Sequence, residues 1–464
     1  MCVAHLMFQN IDMPKKNDVF ELDITDLTSE GAGVGRISGY PLFVQGAVPG
    51  DKIKALVVKD KRSYGYGKLI EIISPSPDRV SAGCDVFTSC GGCSLQMLSY
   101  EAQLRYKRKQ VFDALTRIGG LKDPEVLPTI GMSNPYRYRN KAEYPVSMDA
   151  SGRILMGFYS KHSHRIVECS DCLLGDPSDA DILNAVRSWM IKCDISPYDE
   201  ESGKGFLRHI LIRHSHANGG VMICLVINSA NMKHEKELVE ALSICDNLMS
   251  LSYCINQRRD NVIMGDEVRV IYGESYIEDT IGGISFRISP QSFYQVNPEQ
   301  TEKLYQTALS YAGLGGDEMV WDLYCGIGTI SLFLAQKARK VCGVEIVPAA
   351  IKDAEDNAAR NGITNTEFFC GKAEEVLPEQ YEKTGERADV IVVDPPRKGC
   401  DASLLSTMLV MAPERIVYVS CNPATLARDI KILTNGGYRF IKAQPVDMFA
   451  QTVHVETVCL MSKV

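Results

Sequence analysis

The stretch "WDLYCGIGTISLFLA", Trp321–Ala335, decides the fold of the C-terminal part of the chain. Its first residues predict a buried strand, and the apolar run after the glycines predicts a helix. Gly326 and Gly328 let the backbone turn sharply and approach a ligand closely. No Gly-Lys-Ser/Thr follows, and Ser331 stands where the dinucleotide fingerprint has its third glycine. The loop therefore favours an adenosyl ligand without a pyrophosphate.

The same alternation of apolar strand and helix continues over residues 281–464. Continuous apolar strands separated by helices are typical of a doubly wound α/β sheet with helices on both faces. The predicted strands are MVWDLYC, KVCGVEI, TEFFC, ADVIVVD, RIVYVSC and HVETVCLM.

Two acidic residues follow strands of this predicted sheet. In "KVCGVEIV", Glu345 lies at the end of the second predicted strand, about 20 residues after the glycine loop, where an acid accepts hydrogen bonds from both ribose hydroxyls. Asp394 follows "ADVIVV", and Pro395 and Pro396 stiffen the loop after it. Taken alone, each of these acidic residues is equally compatible with a capping position on the surface. Together with the glycine loop they indicate one crevice for an adenosine-containing cofactor.

Cys421 lies in "RIVYVSCNPATLARD", directly after the last of the strands that precede a helix. A small buried thiol is the ordinary interpretation of a lone cysteine. A nucleophile presented at the edge of the sheet is the alternative. The residue pattern alone leaves both open.

Upstream of the sheet the sequence has a different character. Residues 13–73 contain short strands with frequent glycine and proline turns, which predicts a small β-barrel. Residues 80–280 are mixed: 99–120 predicts a helix, and two alternating runs around "HANGG" predict a hairpin over 206–227. This order favours an α+β module. The first twelve residues are predicted to be an extension.

Sixteen cysteines are a high number for such a chain. Three of them, Cys84, Cys90 and Cys93, lie close together among glycines, which indicates a metal or Fe–S site. Cys172 is the best candidate for the fourth ligand, and Cys169 the second. Zinc would accept the same four thiolates. Five histidines show no tight ligand spacing and are predicted to be solvated or structural: His162, His164, His209, His214 and His216.

Composition limits the classes of protein that the sequence fits. No apolar run is long enough to span a bilayer, and the N-terminus lacks a signal-peptide pattern, so a cytoplasmic protein is predicted. The net charge of −8 argues against bulk affinity for nucleic acid. Basic residues are nevertheless concentrated in 51–68, 105–109 and 136–141, and "YRYRNK" in the last alternates aromatics with cations. That alternation suits base stacking combined with phosphate contact.

Five motifs in one order resemble a known family. They are "SFYQVNPEQ", "DLYCGIGT", "VDPPRKG", "SCNPATLARD" and "DMFAQTVHVETV". The chain resembles the TRAM-domain RNA (uracil-C5)-methyltransferases, in particular the bacterial 23S ribosomal RNA enzymes. The resemblance implies an OB-like TRAM barrel over 13–73 and a central α+β domain with an Fe–S cluster over 74–98 and 121–280. It also implies a Rossmann-like methyltransferase domain over 281–464, with the 99–120 helix packed on it.

The resemblance also implies roles for individual residues. S-adenosylmethionine would be bound by Gln295, Tyr324, Glu345, Lys372 and Asp394, with Gly326 and Gly328 nearby. Cys421 would be the nucleophile, and Glu456 the base that removes the ring proton. A [4Fe–4S] cluster would be held by Cys84, Cys90, Cys93 and Cys172. The expected partner is 23S ribosomal RNA, bound by a monomer.

Three other functions remain open at this stage. In the first, the chain belongs to the same family, but its substrate is a uracil in transfer RNA. The second is an amino-group methyltransferase, because Asp-Pro-Pro also begins its motif; Arg397 then stands where that motif has an aromatic residue. The third is a non-catalytic RNA-binding assembly factor with a structural Fe–S centre, which would leave Cys421 and Glu456 without a role.

Overall fold

The computed structural model describes residues 13–464, so the predicted N-terminal extension lies outside the described residues. Contacts divide the chain into two compact units. The first unit contains the chain up to Phe87 together with Cys93–Tyr106 and Gln451–Val453. The second unit contains Thr88–Gly92, Lys107–Ala450 and His454–Val464.

The first unit is built on the predicted β-barrel. Its strands close in the order β1-β2-β3-β5-β4 around a core of alternating aliphatic side chains such as Leu42, Val44 and Ile53. The prediction of a small β-barrel is confirmed, and the barrel has five strands. Its strands are β1 (Val19–Leu27), β2 (Gly33–Ile37), β3 (Tyr40–Gln45), β4 (Lys52–Asp60) and β5 (Gly65–Ser74).

The segment that follows the barrel, residues 75–79, is fixed to it by a buried ion pair. Asp51 is fully buried and accepts hydrogen bonds from Arg79 and from the backbone N–H of Ser76. The helix that follows, α1 (Tyr100–Arg117), agrees with the predicted 99–120. Its residues are divided between the two units.

The second unit contains a seven-stranded, mainly antiparallel sheet with the order β12-β11-β10-β9-β6-β7-β8. The predicted hairpin is β9 paired with β10. The helix after this hairpin, over Glu235–Ala241, is short, because a 3-10 turn over Leu242–Ile244 ends it. The elements are β6 (Lys141–Met148), β7 (Ile154–Tyr159), β8 (Ile166–Glu168), α2 (Asp179–Lys192), β9 (Leu207–His214), β10 (Val221–Ile227), α3 (Glu235–Ala241), β11 (Leu248–Ile255) and β12 (Glu267–Gly273).

The second unit also contains the predicted α/β sheet. Its strands have the order β17-β16-β15-β18-β19-β21-β20; the first five are mutually parallel, and β21 runs antiparallel to both of its neighbours, β19 and β20. The elements are β13 (Ile277–Ile281), β14 (Ile284–Ile288), α4 (Pro298–Ala312), β15 (Met319–Leu323), α5 (Thr329–Ala335), β16 (Lys340–Glu345), α6 (Pro348–Arg360), β17 (Thr366–Cys370), α7 (Ala373–Thr384), β18 (Val390–Val393), α8 (Ala402–Met411), β19 (Arg415–Ser420), α9 (Pro423–Asn435), β20 (Tyr438–Val446) and β21 (Glu456–Lys463).

The contact division does not separate the predicted central and catalytic domains. Most of 74–98 falls in the first unit, and only Thr88–Gly92 falls in the second. The boundaries of the three predicted domains therefore stay a prediction. Within residues 13–464, no helix is long and apolar enough to cross a membrane.

Candidate active site

A cavity of about 960 Å³ opens in the second unit at the carboxyl ends of the parallel strands. Ligands of open α/β sheets bind at this edge, where the strand order reverses between β15 and β18. Both predicted catalytic residues line it, and so do six of the seven predicted cofactor residues: Gln295, Tyr324, Gly326, Glu345, Lys372, Asp394, Cys421 and Glu456.

The glycine loop between β15 and α5 forms one wall. Gly326 has φ +56°, and open space surrounds the position of a missing Cβ, as close approach of a ligand requires. Gly328 lies behind the cavity surface, where a Cβ would stand 3.1 Å from Cβ of Ala354. Tyr324 has φ +66°, a strained conformation for a bulky residue and one often found at functional sites.

Glu345 is held in place by the backbone around it. One carboxylate oxygen accepts from the N–H groups of Ile346 (2.8 Å) and Val347 (3.0 Å). The other accepts from the N–H of Gly326 at 3.3 Å. A carboxylate oxygen can accept more than one bond, so Glu345 is oriented and can still receive ribose hydroxyls.

Two further predicted cofactor residues, Gln295 and Lys372, differ in exposure. Gln295 is 7% exposed, and its backbone carbonyl accepts from the side chain of Asn140. Lys372 precedes α7 on the rim, its side chain 56% exposed and paired with Glu375 at 3.1 Å. Gln295 is thus a fixed part of the wall, whereas Lys372 is a solvated rim group.

Local sequence explains why Cys421 faces the cavity. Asn422 caps α9 by accepting from the N–H of Ala424, and Pro423 occupies the first turn. Cys421 therefore sits in the short turn between β19 and the cap, and its side chain is half-buried. The side chain of Asn422 also donates to the backbone carbonyl of Arg397, which ties this turn to the Pro-Pro loop.

Glu456 is the first residue of β21 and pairs in register with Val446 of β20. It is 4% exposed. Burial, together with the charge of Asp394, raises the pKa of Glu456 to about 8, while Arg397 opposes the shift. Glu456 is therefore largely protonated at neutral pH in the ligand-free protein.

Cys421 is subject to the same forces. Burial is the largest cause, and the charges of Glu456 and Asp394 add to it, so that the pKa of the thiol rises to about 11. Arg397 lowers it. These interactions show that the thiol, both carboxyl groups and the guanidinium act on each other in one cavity.

Two further buried acids line the cavity. Burial raises the pKa of Asp394 to about 6 and that of Asp322 to about 7. One oxygen of Asp322 accepts from Ser331 at 2.5 Å, and the other is buried with no hydrogen-bond partner among the described residues. Because carboxyl groups crowd this site, a bound cation would lower their pKa values and favour their ionised forms. The cavity therefore fits a ligand with positive charge, such as S-adenosylmethionine with its sulfonium and ammonium groups.

Most of the other lining residues were not predicted from the sequence, and four of them bear on the character of the site. Asp322 is a polar residue inside an apolar strand segment, and that mismatch is a usable signal. Phe293 is 74% exposed despite its size. His454 and Phe449 belong to the last motif and form an edge-to-face pair with ring centroids 6.1 Å apart. Nothing in the spacing of these three residues pointed to a cavity.

The predicted cluster ligands are divided between the two units. Cys84 and Cys93 belong to the first unit, Cys90 and Cys172 to the second. Cys90 and Cys93 are buried, and the other two are half-buried. A hydrogen bond with Cys169, followed by backbone N–H groups, lowers the pKa of Cys172 to about 6, against an opposing effect of burial.

A low thiol pKa suits a metal ligand, which binds as the thiolate. In the part of the chain that the structure describes, however, no three or more His, Cys, Asp or Glu side chains are grouped as a metal site. The donor chemistry of Cys172 fits an Fe–S cluster, but the grouping of four thiolates is not seen. The cluster and its four ligands stay a prediction.

Comparisons with known proteins agree with this geometry. The family model described as tRNA (Uracil-5-)-methyltransferase matches residues 262–464, and the TRAM domain model matches residues 15–70. An uncharacterized RNA methyltransferase of Halalkalibacterium halodurans is 52% identical over 96% of this chain and 97% of its own length. Another, of Clostridium tetani, is 48% identical over 97% of this chain and 98% of its own length.

A solved structure is similar over nearly the whole chain. It is the tRNA (uracil-54, C5)-methyltransferase of Pyrococcus abyssi in complex with S-adenosyl-L-homocysteine. It is 27% identical, covers 95% of this chain and 100% of its own, and has a TM-score of 0.77.

Proposed function

This chain belongs to the TRAM-containing RNA (uracil-5-)-methyltransferases, which use S-adenosylmethionine, and from that premise we propose that it methylates carbon 5 of a uracil in 23S ribosomal RNA. The observation that carries the proposal is the single cavity lined by the glycine loop, Glu345, Asp394, Cys421 and Glu456. It offers an adenosyl site, a thiol and a buried base to one substrate.

Cys421 makes the ring reactive in the proposed mechanism. Carbon 5 of uracil is a poor nucleophile. The thiolate of Cys421 adds to carbon 6 of the ring. The electrons of the carbon 5–carbon 6 double bond then move to give an enolate that is nucleophilic at carbon 5. S-adenosylmethionine, held by the glycine loop, Glu345 and Asp394, would supply an electrophilic methyl group on its sulfonium; carbon 5 would take that group, with a neutral thioether as the leaving group.

Glu456 completes the reaction. Its carboxylate removes the proton from carbon 5, and the electrons of that bond restore the double bond as the Cys421 sulfur leaves carbon 6. The cavity is enclosed by protein, so the uracil must be unpaired or flipped out of its helix to enter it.

Both groups must be ionised, although their pKa values are raised in the ligand-free protein. Arg397 lowers the pKa of both. Cys421 also lies just before the N-terminus of α9, whose dipole favours a thiolate. The cationic ligand itself adds to these effects.

The choice of 23S ribosomal RNA is supported by the resemblance of the five motifs to bacterial enzymes of that substrate class. A second candidate, a uracil in transfer RNA, is favoured by the Pyrococcus abyssi relative and by the description of the family model. The test uses unmodified 23S RNA and transfer RNA from a strain that lacks the enzyme. Each RNA is treated with the enzyme and analysed by mass spectrometry, which shows which of the two substrates is methylated. New 5-methyluridine in only the transfer RNA would overturn the first choice.

The covalent step is tested by trapping. With RNA in which uracil is replaced by 5-fluorouracil, wild-type protein should form a complex that survives denaturation. Cys421→Ala should form none and should lose turnover entirely. Cys370→Ala is the matched control, since that exposed cysteine lies outside the cavity. A stable adduct on Cys421→Ala would exclude this cysteine as the nucleophile.

Glu456→Gln tests the base with ordinary RNA. A methylated adduct should accumulate, because the amide cannot remove the carbon 5 proton. It should be detected as methyl-labelled RNA linked to protein, with little free product. Normal turnover by this variant would show that another group is the base.

We also infer that the four predicted cysteines hold the [4Fe–4S] cluster, on the support of the motif resemblance and of the acidic thiol of Cys172. No step of the proposed mechanism passes through it.

A further inference from the structure

A second cavity, of about 540 Å³, lies in the second unit, and none of its lining residues lines the catalytic cavity. It is bounded by the end of β7, the loops around His164 and Glu200, the strand β9 and the loop 256–266. His164 and His209, which the sequence predicted to be solvated or structural, both line it.

Flat groups form the walls of this cavity. The guanidinium of Arg208 lies 4.4 Å over the ring of Tyr198. Arg208 is 5% exposed, and it is held by donating to two backbone carbonyls of the loop 256–266 at 2.8 and 2.7 Å. The rings of Tyr159 and His164 stack with centroids 5.2 Å apart. Such fixed planes are what an aromatic ligand stacks on.

The polar groups in the cavity form a network that is partly unsatisfied. Glu200 accepts from the hydroxyl of Tyr159 at 2.9 Å and contacts Nδ1 of His164 at 2.5 Å. His209 is 5% exposed, and its Nε2 is 3.4 Å from the Tyr159 hydroxyl. The structure gives no hydrogen-bond partner to the buried Nδ1 of His209 or the buried Nε of Arg208. Buried polar atoms without partners are rare and point to a missing ligand or water.

The balance of charge selects the kind of ligand. Three acids, Glu200, Glu201 and Asp260, line the cavity and disfavour a free phosphate. Two arginines, Arg208 and Arg259, disfavour a simple cation. A neutral, planar ligand with both donors and acceptors fits this mixture, and an unpaired nucleobase has these properties.

The cavity is also linked to the catalytic site by short paths. The carbonyl of Gly265, in the loop that forms its wall, accepts from the side chain of Gln291 at 2.7 Å. Gln291 is two residues from Phe293, which lines the catalytic cavity. Along β9, Arg208 lines the second cavity, while Arg213 donates to the carbonyl of Ser292 at 3.1 Å. These arginines are five positions apart along the strand, which corresponds to about 16 Å between their Cα atoms.

We propose that this second cavity binds an unpaired nucleobase of the RNA, a few nucleotides from the target uracil, and thereby contributes to the choice of RNA. The proposal rests on the proposed function, because it names a further part of the same substrate.

The test compares two neighbouring arginines in the full-length protein. Arg259 lines the cavity, whereas Arg258 lies in the same exposed loop, pairs with Asp266 and does not line it. Arg259→Ala and Arg258→Ala therefore remove the same charge from the same loop, and general electrostatic effects on RNA binding are shared.

The probe is the RNA in which the wild-type enzyme forms 5-methyluridine, made as a series of transcripts with one abasic nucleotide at each position near that uracil. At one position we expect the abasic change to raise the KM of wild-type enzyme and Arg258→Ala at least fivefold, with kcat unchanged. With Arg259→Ala the KM for intact RNA should already be raised, and the abasic change should add nothing. This loss of the penalty is the coupling expected of two groups in contact.

Two results would overturn the inference, and they differ from failure of the proposed function. If no abasic position raises the KM of the wild-type enzyme in a way that disappears in Arg259→Ala, the cavity binds only water and the inference is wrong. Equal KM values for Arg259→Ala and Arg258→Ala lead to the same conclusion. If wild-type enzyme forms no 5-methyluridine in either RNA pool, the proposed function itself is wrong, and the second cavity loses its substrate with it.

Discussion

Glu456, the proposed base, is a carboxyl group whose protonated form is favoured by burial in the ligand-free protein. Its pKa is raised to about 8, chiefly by burial. Turnover should therefore rise with pH through about 8 and continue to rise towards about 11, because product release needs the Glu456 carboxylate and the attack on carbon 6 needs the Cys421 thiolate.

The pH dependence should also differ between the free and the bound enzyme. A bound sulfonium lowers the pKa values of nearby acids, so the apparent pKa in the kcat profile should be lower than that in the kcat/KM profile. Steady-state kinetics across pH, with S-adenosylmethionine binding measured separately at each pH, checks this. A rate that does not change from acidic pH to pH 8 would contradict the role of these two groups.

The burial of Glu456 also lowers the stability of the fold as the pH rises. In the unfolded chain its carboxyl ionises at its ordinary pKa near 4.5, but in the fold its pKa is about 8. Folding stability is therefore lost as pH rises from about 4.5 to about 8. Glu456→Gln should raise the free energy of unfolding of the ligand-free protein by about 2–4 kcal/mol at pH 8, and by almost nothing near pH 4.

Thermal unfolding midpoints at the two pH values measure this effect. Glu382→Gln, at an exposed position, is the control and should change neither midpoint. An equal gain at both pH values would mean that improved packing, and not removal of a buried charge, stabilises the Glu456 variant.

At the scale of elements, α1 is joined to the catalytic sheet by a buried ion pair. Lys107 is fully buried, donates to Asp447 and also donates to the carbonyl of Phe449 at 3.0 Å. Lys107→Met removes the cation and leaves a buried carboxylate, which should cost about 3–5 kcal/mol of stability. Because Phe449 lines the catalytic cavity, kcat/KM should also fall.

The control for this prediction lies on the same helix. Lys109→Met removes a lysine that is 48% exposed and should cost about 0–1 kcal/mol. Adding Asp447→Asn to Lys107→Met should restore part of the lost stability, since the buried charge is then gone. If Lys107→Met unfolds at the same temperature as Lys109→Met, the pair contributes nothing.

Some elements could be predicted from the sequence because a single cause, burial on both faces of the sheet, determines their residue pattern. β15 and β18 are buried on both faces, so their residues form continuous apolar runs. β20 was missed because it is polar and half-exposed over its first half and contains Pro445. The β13–β14 hairpin was also missed, although Gly282 and Gly283 between its strands are a usable turn signal.

The candidate sites show the same contrast. Glu345 and Asp394 could be predicted because strand ends share an edge of a sheet. The second cavity could not, since Tyr159, His209 and Arg259 are far apart in sequence and meet only through the pairing of the antiparallel sheet.

At the scale of the whole molecule, the predicted Fe–S cluster draws on residues over a wide span of the chain, from Cys84 to Cys172. Protein purified without oxygen should contain iron and acid-labile sulfide in nearly equal amounts, about four of each per chain. Cys172→Ser should reduce both strongly, because a hydroxyl is a poor iron ligand. Cys193→Ser is the control, as Cys193 is a half-buried cysteine outside the predicted set. Zinc in place of iron, with no sulfide, would contradict the prediction of the cluster while keeping the four thiols as ligands.

The position of β21 between β19 and β20 has a consequence for biosynthesis. Translation produces both neighbours before β21, so a nascent chain carries two strands whose facing edges have nothing to pair with. Such open edges invite misassembly and chaperone contact during elongation. Insertion of β21 closes this gap and brings Glu456, the proposed base, to the cavity in a single event, so the proposed site is complete only once β21 has paired.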